Sequence, residues 1–178
     1  PHLERGFFQE VESSDSSTYK VPGVPFQSEN TETDLKRAPL LGEHTEEVLS
    51  RVDGSEQVIL ESKETSEQLN PLPLTGIRVV DLSMFFAGPV AAQVLADAGA
   101  EVIKVESIQR IDGWRSSGTV TEQELPSWEA SPYFNWVNRN KKDITLDLTN
   151  PRGADIVKKL VTEADILVEN YTPRVMEN

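Results

Sequence analysis

Residues 73–178 predict an α/β fold built on a Rossmann-like parallel sheet, and three observations carry that reading. Short apolar runs rich in β-branched residues recur, helical repeats of apolar residues separate them, and Pro, Gly and Asn stand where such helices start and stop. Ile77–Leu82 is the first run, suited to a strand buried on both faces. Pro89 fits the first turn of the following helix and Gly99 its carboxyl cap. Between them Val90, Ala91, Val94, Leu95 and Ala98 recur at helical spacing and predict its packing face. Glu101–Glu106 is the next strand, closing a β-α-β unit over 77–106 with a right-handed crossover. Residues 107–132 read as a long, irregular surface excursion. Ile144–Leu148 is a third strand. Asn150 and Pro151 then open a helix that turns Ile156, Val157, Leu160, Val161 and Ala164 to the sheet, and Asp165–Glu169 is the fourth strand.

The stretch before residue 73 has a different character. Gly6–Val11 and Thr18–Val21 alternate like short β elements, with Pro22-Gly23 as a turn, and residues 29–38 are polar and loop-like. Thr45 can cap a short helix whose first turn holds Glu46 and Glu47, where the helix dipole favours anions. Residues 53–72 are acidic and Ser-rich around one apolar triplet, Val58-Ile59-Leu60, which predicts a linker.

Charge narrows the function classes. The 178 residues carry a net −13, of which residues 1–70 hold 15 acids against 6 bases. So acidic a chain argues against nucleic acid as a partner, because that needs clustered Lys and Arg. A phosphorylated small ligand stays possible, since one loop of backbone N–H groups suffices. With no cysteine there is no disulfide and no thiolate-bound zinc, and the two histidines lie far apart. That composition fits a cytoplasmic enzyme. No apolar run approaches the ~20 residues that span a bilayer, so no membrane partner is expected. Pro1 is no initiator and Val-Met-Glu-Asn is no closing element, so both ends read as cuts in a longer chain.

In open parallel sheets, ligands bind outside the carboxyl ends of the strands. Those ends fall at Ser83–Pro89, at Ser107 onward and at Asn170–Pro173, which brings Phe85, Phe86, Asn170 and Tyr171 toward one ligand. The first turn is Phe-Phe-Ala-Gly-Pro, with one glycine where a dinucleotide fingerprint needs three, so NAD and FAD are disfavoured.

Several blocks resemble the family III CoA-transferases, the CaiB/BaiF group. They are residues 73–106, then Asn138-Arg139-Asn140-Lys141-Lys142 with Ile-Thr-Leu-Asp-Leu, then Asp165-Ile-Leu-Val-Glu-Asn-Tyr-Thr-Pro-Arg-Val-Met. Arg37-Ala-Pro-Leu-Leu-Gly-Glu-His-Thr-Glu-Glu-Val-Leu resembles the family's carboxyl end, yet here it comes first. Tail before head implies a tandem fusion: residues 1–52 end a first unit, 53–72 link, and 73–178 begin a second. The resemblance implies CoA contacts at Phe85, Phe86, Ala87, Lys141, Asn170 and Tyr171. It implies acyl-CoA and a small carboxylic acid as substrates, no permanently bound cofactor and no metal. It also implies copies intertwined with one another, and an Asp nucleophile that lies beyond Asn178, so that this piece alone is inactive. Many relatives carry Arg where this chain has Ser107, which bears on nucleotide affinity in this copy. The alternative is a non-catalytic half that completes an interlocked fold.

Other residues have plainer readings. Asp81 is expected to bind local backbone N–H groups. Lys104 and Glu106 are expected as solvent-facing or paired charges, His2 and His44 as structural, and Trp114, Trp128 and Trp136 as core anchors.

Overall fold

A computed structural model describes residues 1–14, 16–26, 33–52, 54, 72–118 and 126–176. The elements are β1 (Phe8–Glu12), β2 (Thr18–Pro22), α1 (Thr45–Val52), β3 (Arg78–Asp81), α2 (Ala87–Asp97), β4 (Glu101–Glu106), a 3-10 turn (Gly113–Ser116), α3 (Pro132–Val137), β5 (Lys142–Thr145), α4 (Pro151–Thr162) and β6 (Ile166–Val168). The last four strands form one parallel sheet in the order β5-β4-β3-β6. The order reverses between β3 and β6, the kind of switch point at which open parallel sheets form a ligand crevice outside the strand ends.

Two cores sandwich the sheet. Val80, Leu82, Ile103, Val105, Ile144 and Leu146 point to one side, where Leu160 of α4 and Val48 of α1 cover them. Val79 and Val102 point to the other, against Ala92 and Ala96 of α2. The expected α4 face is the one that packs, with Ile156, Val157, Val161 and Ala164 around Leu160. Asn150 caps α4 by accepting the Arg152 N–H at 3.0 Å, and Pro151 takes its first turn.

The expected face of α2 is a correction. Ala92, Gln93, Ala96 and Asp97 are buried, while Ala91 and Val94 are exposed. Alanines let the helix axis approach the strands closely. Gln93 and Asp97 turn toward Arg139, whose guanidinium pairs with Asp97 at 2.7 Å. Gly99, at φ +102°, ends the helix as expected.

Residues 107–132 are no mere excursion. Arg115 in their 3-10 turn is fully buried, and Phe134 of α3, a helix the sequence reading does not foresee, lies 3.6 Å from its guanidinium. The tryptophans are a second correction: Trp128 and Trp136 are exposed, and Trp114 and Trp136 both pack at a tilt against Phe86, ring centroids 5.4 and 5.7 Å away.

β1 and β2 pair as an antiparallel hairpin with its own small cluster of Val11, Val21 and Leu35. They add no strand to the larger sheet. Residues 41–45 instead line the free edge of β5. Gly42 N–H donates to Asp143 Oδ1 at 2.6 Å, His44 N–H to the Asp143 carbonyl at 2.9 Å, and Asp143 N–H to His44 Nδ1 at 3.2 Å. Thr45, expected to cap its own helix, accepts the Thr145 N–H at 3.0 Å. The edge of β5 is thereby covered rather than open to further pairing. The predicted linker, apart from Gly54 and Leu72, lies outside the described residues.

Candidate functional site

The crevice is built around the loop leaving β3. Ser83 is fully buried, Phe85 and Phe86 are half-exposed, and Phe85 sits at φ +66°, in the left-handed region that non-glycine residues avoid. Side chains from four directions hold this loop. Asp81 Oδ1 accepts from the Ser83 N–H at 2.9 Å and from the Ser83 hydroxyl. Lys104 donates to the Ser83 carbonyl at 2.8 Å. Asn170 brackets Met84, accepting its N–H at 2.9 Å and donating to its carbonyl at 2.8 Å. Asp112 Oδ1 accepts the Phe85 N–H at 3.2 Å and the Trp114 N–H at 3.0 Å. Gly88 lets α2 start directly beneath: a Cβ there would collide with the Ser83 side chain and stand 3.4 Å from Asn170 Cγ. No side chain caps α2, so its first-turn N–H groups, Ala87 and Gly88 among them, lack a side-chain acceptor.

Under the loop lies a buried set of charges. Lys141 donates to Asp81 Oδ2 at 2.8 Å, to the Pro89 carbonyl at 2.9 Å and to Asn138 Oδ1 at 2.9 Å. Burial pushes its ammonium down to about 8, against the pull of Asp81 and with added repulsion from Lys104. Burial would raise the Asp81 carboxyl, but Lys141 and Lys104 outweigh it and hold it below the usual carboxylate value. Lys104 pairs with Asp112 Oδ2 at 3.1 Å, a contact without hydrogen-bond geometry. Behind it, Arg115 meets Glu106 at 2.8 Å, Glu129 at 2.7 Å and Asp143 at 3.5 Å. Glu106 and Asp143 are neighbours that cannot both ionise cheaply. Burial and the hydrogen bond with Glu106 raise Asp143 well above the usual range, while Glu106 is held at about 2.

The structure thus gathers Phe85, Phe86, Ala87 and Asn170 at one crevice. Tyr171 sits beside them, half-buried against the core and within the fields of Lys104, Asp81, Arg110 and Asp112. Lys141 requires a correction. All three of its donors are used internally and it is 4% exposed, so it braces the crevice wall instead of lining it. Asp81 does bind backbone N–H, as expected, and pairs with Lys141 as well. Lys104 and Glu106 are paired rather than solvent-facing, and both are buried. The sequence reading passed over Asp112 and Arg115; Asp112 one residue before Gly113-Trp114 is a recognisable turn cap. Among the described residues no three or more His, Cys, Asp or Glu could jointly hold a metal ion, and no helix is long and apolar enough to cross a membrane.

A four-stranded parallel sheet packed on both faces, with a switch point between β3 and β6, defines an open α/β domain. The profile of CoA-transferase family III matches residues 74–178, more than half of the chain, and the chain belongs to that family. It is 42% identical over 114 residues to a succinyl-CoA–D-citramalate CoA-transferase of Chloroflexus aurantiacus, covering 63% of this chain and 27% of that protein. It is 46% identical over 101 residues to the mouse succinyl-CoA:glutarate CoA-transferase, covering 57% of this chain and 22% of the relative. Among solved structures, a CaiB/BaiF family protein from Brucella suis shares 39% identity at a TM-score of 0.51, over 57% of this chain and 26% of that one. A hypothetical protein from Mycobacterium tuberculosis also shares 39% identity and a TM-score of 0.51, over 61% of this chain and 28% of that one. The chain spans about a quarter of the length of the relatives it matches.

Proposed function

We propose that the full-length protein containing this chain is a CoA-transferase that moves CoA from an acyl-CoA donor to a carboxylic-acid acceptor. One observation carries the proposal: within the family-matched region, the Ser83–Phe86 loop is held rigidly beside Asn170, Tyr171 and the uncapped start of α2. Aromatic rings suit the adenine and pantetheine portions of CoA, and helix N–H groups suit phosphate oxygens. The names of relatives support the donor and acceptor classes, pairing succinyl-CoA with citramalate or glutarate.

The chemistry proposed is covalent. An Asp carboxylate beyond Asn178 attacks the thioester carbonyl, the C–S bond breaks, and CoA leaves as thiolate from an aspartyl anhydride. The thiolate then attacks the aspartyl carbonyl, releasing the first acid and leaving an enzyme thioester that the acceptor carboxylate opens in the same two steps reversed. Each step is easier than direct exchange between two poor electrophiles. This chain supplies the cradle and not the nucleophile, so by itself it gives no turnover.

The finer reading follows the tail-before-head order. Residues 1–52 close a first unit, 53–72 link, and 73–178 open a second, in a cytoplasmic protein whose copies intertwine. Among fused forms, the bacterial dimethylsulfoniopropionate CoA-transferase/lyase is the one we propose, with lyase chemistry following CoA transfer. Incubation of the full-length protein with acyl-CoA and hydroxylamine, followed by peptide mass spectrometry, tests the mechanism. A hydroxamate at an Asp downstream of residue 178 is expected; an adduct on Asp81, or turnover by residues 1–178 alone, contradicts it.

A further inference from the structure

We infer that Lys141, together with Lys104, is a positioning residue: the two buried ammonium groups hold Ser83 and Phe85, on either side of the Asn170-bracketed Met84, in one preformed shape through Asp81 and Asp112. The inference rests on the CoA reading only for the identity of the ligand.

The backbone itself motivates it. A phenylalanine at φ +66° is strained, and such residues persist only where their surroundings over-determine them. Here the Ser83 N–H and carbonyl, the Met84 N–H and carbonyl, and the Phe85 N–H are each held by a side chain. Except for Asn170, the holders are the buried charges Asp81, Lys104 and Asp112. Burying charges costs several kcal/mol each before pairing offsets it. The set also ties three elements together, since Lys141 joins β3 through Asp81, α2 through the Pro89 carbonyl and the end of α3 through Asn138. All three donors of the Lys141 ammonium are directed to these internal acceptors, so its place in the fold is to fix where Asp81 points. Asp81 in turn fixes Ser83. A ligand then meets a loop already ordered and does not bear the entropy of ordering it.

Lys141 also makes this device readable by pH. The charged groups around it are Asp81 from β3, Lys104 from β4 and Asp112 from the following loop. Its folded value of about 8 lies below the ordinary lysine value of 10.5. The folded state therefore loses this proton before the unfolded state does, and this group's contribution to stability rises between about pH 8 and 10.5. Loop order moves the other way, because the neutral amine no longer holds Asp81. Affinity falling while this contribution to stability rises is a signature that a merely structural lysine would not give.

The test uses the full-length protein and acetyl-CoA, whose thioester leaves no thiol to titrate. Binding is measured by calorimetry from pH 7 to 9.5 for the wild type, Lys141→Met and Lys141→Arg, with amide exchange followed at residues 83–85. Wild-type affinity is expected to fall through about pH 8, and Lys141→Arg, which cannot deprotonate there, is expected to lack that limb. In Lys141→Met, exchange at 83–85 should accelerate and KM for acyl-CoA should rise roughly tenfold or more while kcat moves little, the pattern of lost uniform binding. Should Lys141→Met not fold, Asn138→Ala, which removes one of the acceptors that orient the Lys141 ammonium, is read by the same exchange and affinity measurements, and no change in either overturns the inference. Unchanged exchange at 83–85 and unchanged affinity in a folded Lys141→Met overturn the inference. Faster exchange in Lys141→Met with no acetyl-CoA binding by any of the proteins would leave the positioning intact and overturn the CoA reading instead.

Discussion

The two ends of the same parallel strands carry ion clusters of opposite character. At the amino ends, Glu101 meets Arg51 at 2.6 Å, Arg78 at 2.9 Å and Lys142 at 2.9 Å, with side chains 25–29% exposed. Toward the carboxyl ends, Asp81, Lys104, Asp112 and Arg115, together with Lys141, which enters from the amino end of β5 and reaches Asp81 with its ammonium, have no exposed side-chain surface. Water screens the first cluster, which is cheap to assemble and contributes little. The second is costly to bury, and its members hold backbone as well as each other. Charge is spent in this protein where a loop must keep one shape, and that is the end where parallel sheets bind ligands.

Substitutions at the two ends should therefore differ widely. The largest loss of stability is expected for Arg115→Met, which strips the guanidinium from Glu106, Glu129 and Asp143 and leaves carboxylates buried without a cation. Urea unfolding should show a loss of about 3–5 kcal/mol. A loss below about 1 kcal/mol would mean that the interior cluster behaves like a surface one. At the other end, Glu101→Gln should cost less than Arg115→Met, because its partly exposed partners are screened by water, and salt should shrink that cost further. Its pH dependence has a definite sign. Three cations hold Glu101 at about 2, below its ordinary 4.5, despite partial burial. Its contribution is therefore complete above about pH 4.5 and is lost as pH falls toward 2. Acid unfolding of Glu101→Gln should lack that component.

The same contrast explains what could be read from residues alone. The 77–106 unit, the α4 face and the existence of four strands follow from apolar periodicity, which sequence displays directly. However, β5 runs over Lys142–Thr145 and not over the expected Ile144–Leu148, since its pairing with β4 and not its apolar run sets its bounds. The direction of α2 does not, because a helix so rich in Ala and Val offers two overlapping stripes. Only the partners decide between them: Arg139 draws Gln93 and Asp97 inward, and the sheet takes the smaller alanines. Buried charges are hidden for a related reason. Lys141, Lys104 and Arg115 look solvated until a carboxylate many residues away is folded against each. Thus Asn170 and the Phe85–Ala87 turn were legible as crevice residues, whereas the interior place of Lys141 was not. The exposed tryptophans were missed because bulk and apolarity do not reveal that Phe86 packs against Trp114 and Trp136 at the surface.

The most direct measurement is calorimetric titration of acetyl-CoA into the full-length protein, Asn170→Ala and Glu101→Gln. Asn170→Ala releases Met84 at the carboxyl end, and Glu101→Gln loosens only the amino end. Asn170→Ala is expected to bind roughly tenfold or more weakly while its fold is retained, and Glu101→Gln to bind like the wild type. Unchanged affinity in Asn170→Ala, or an equal loss in both variants, would contradict a CoA site at the carboxyl end of the sheet.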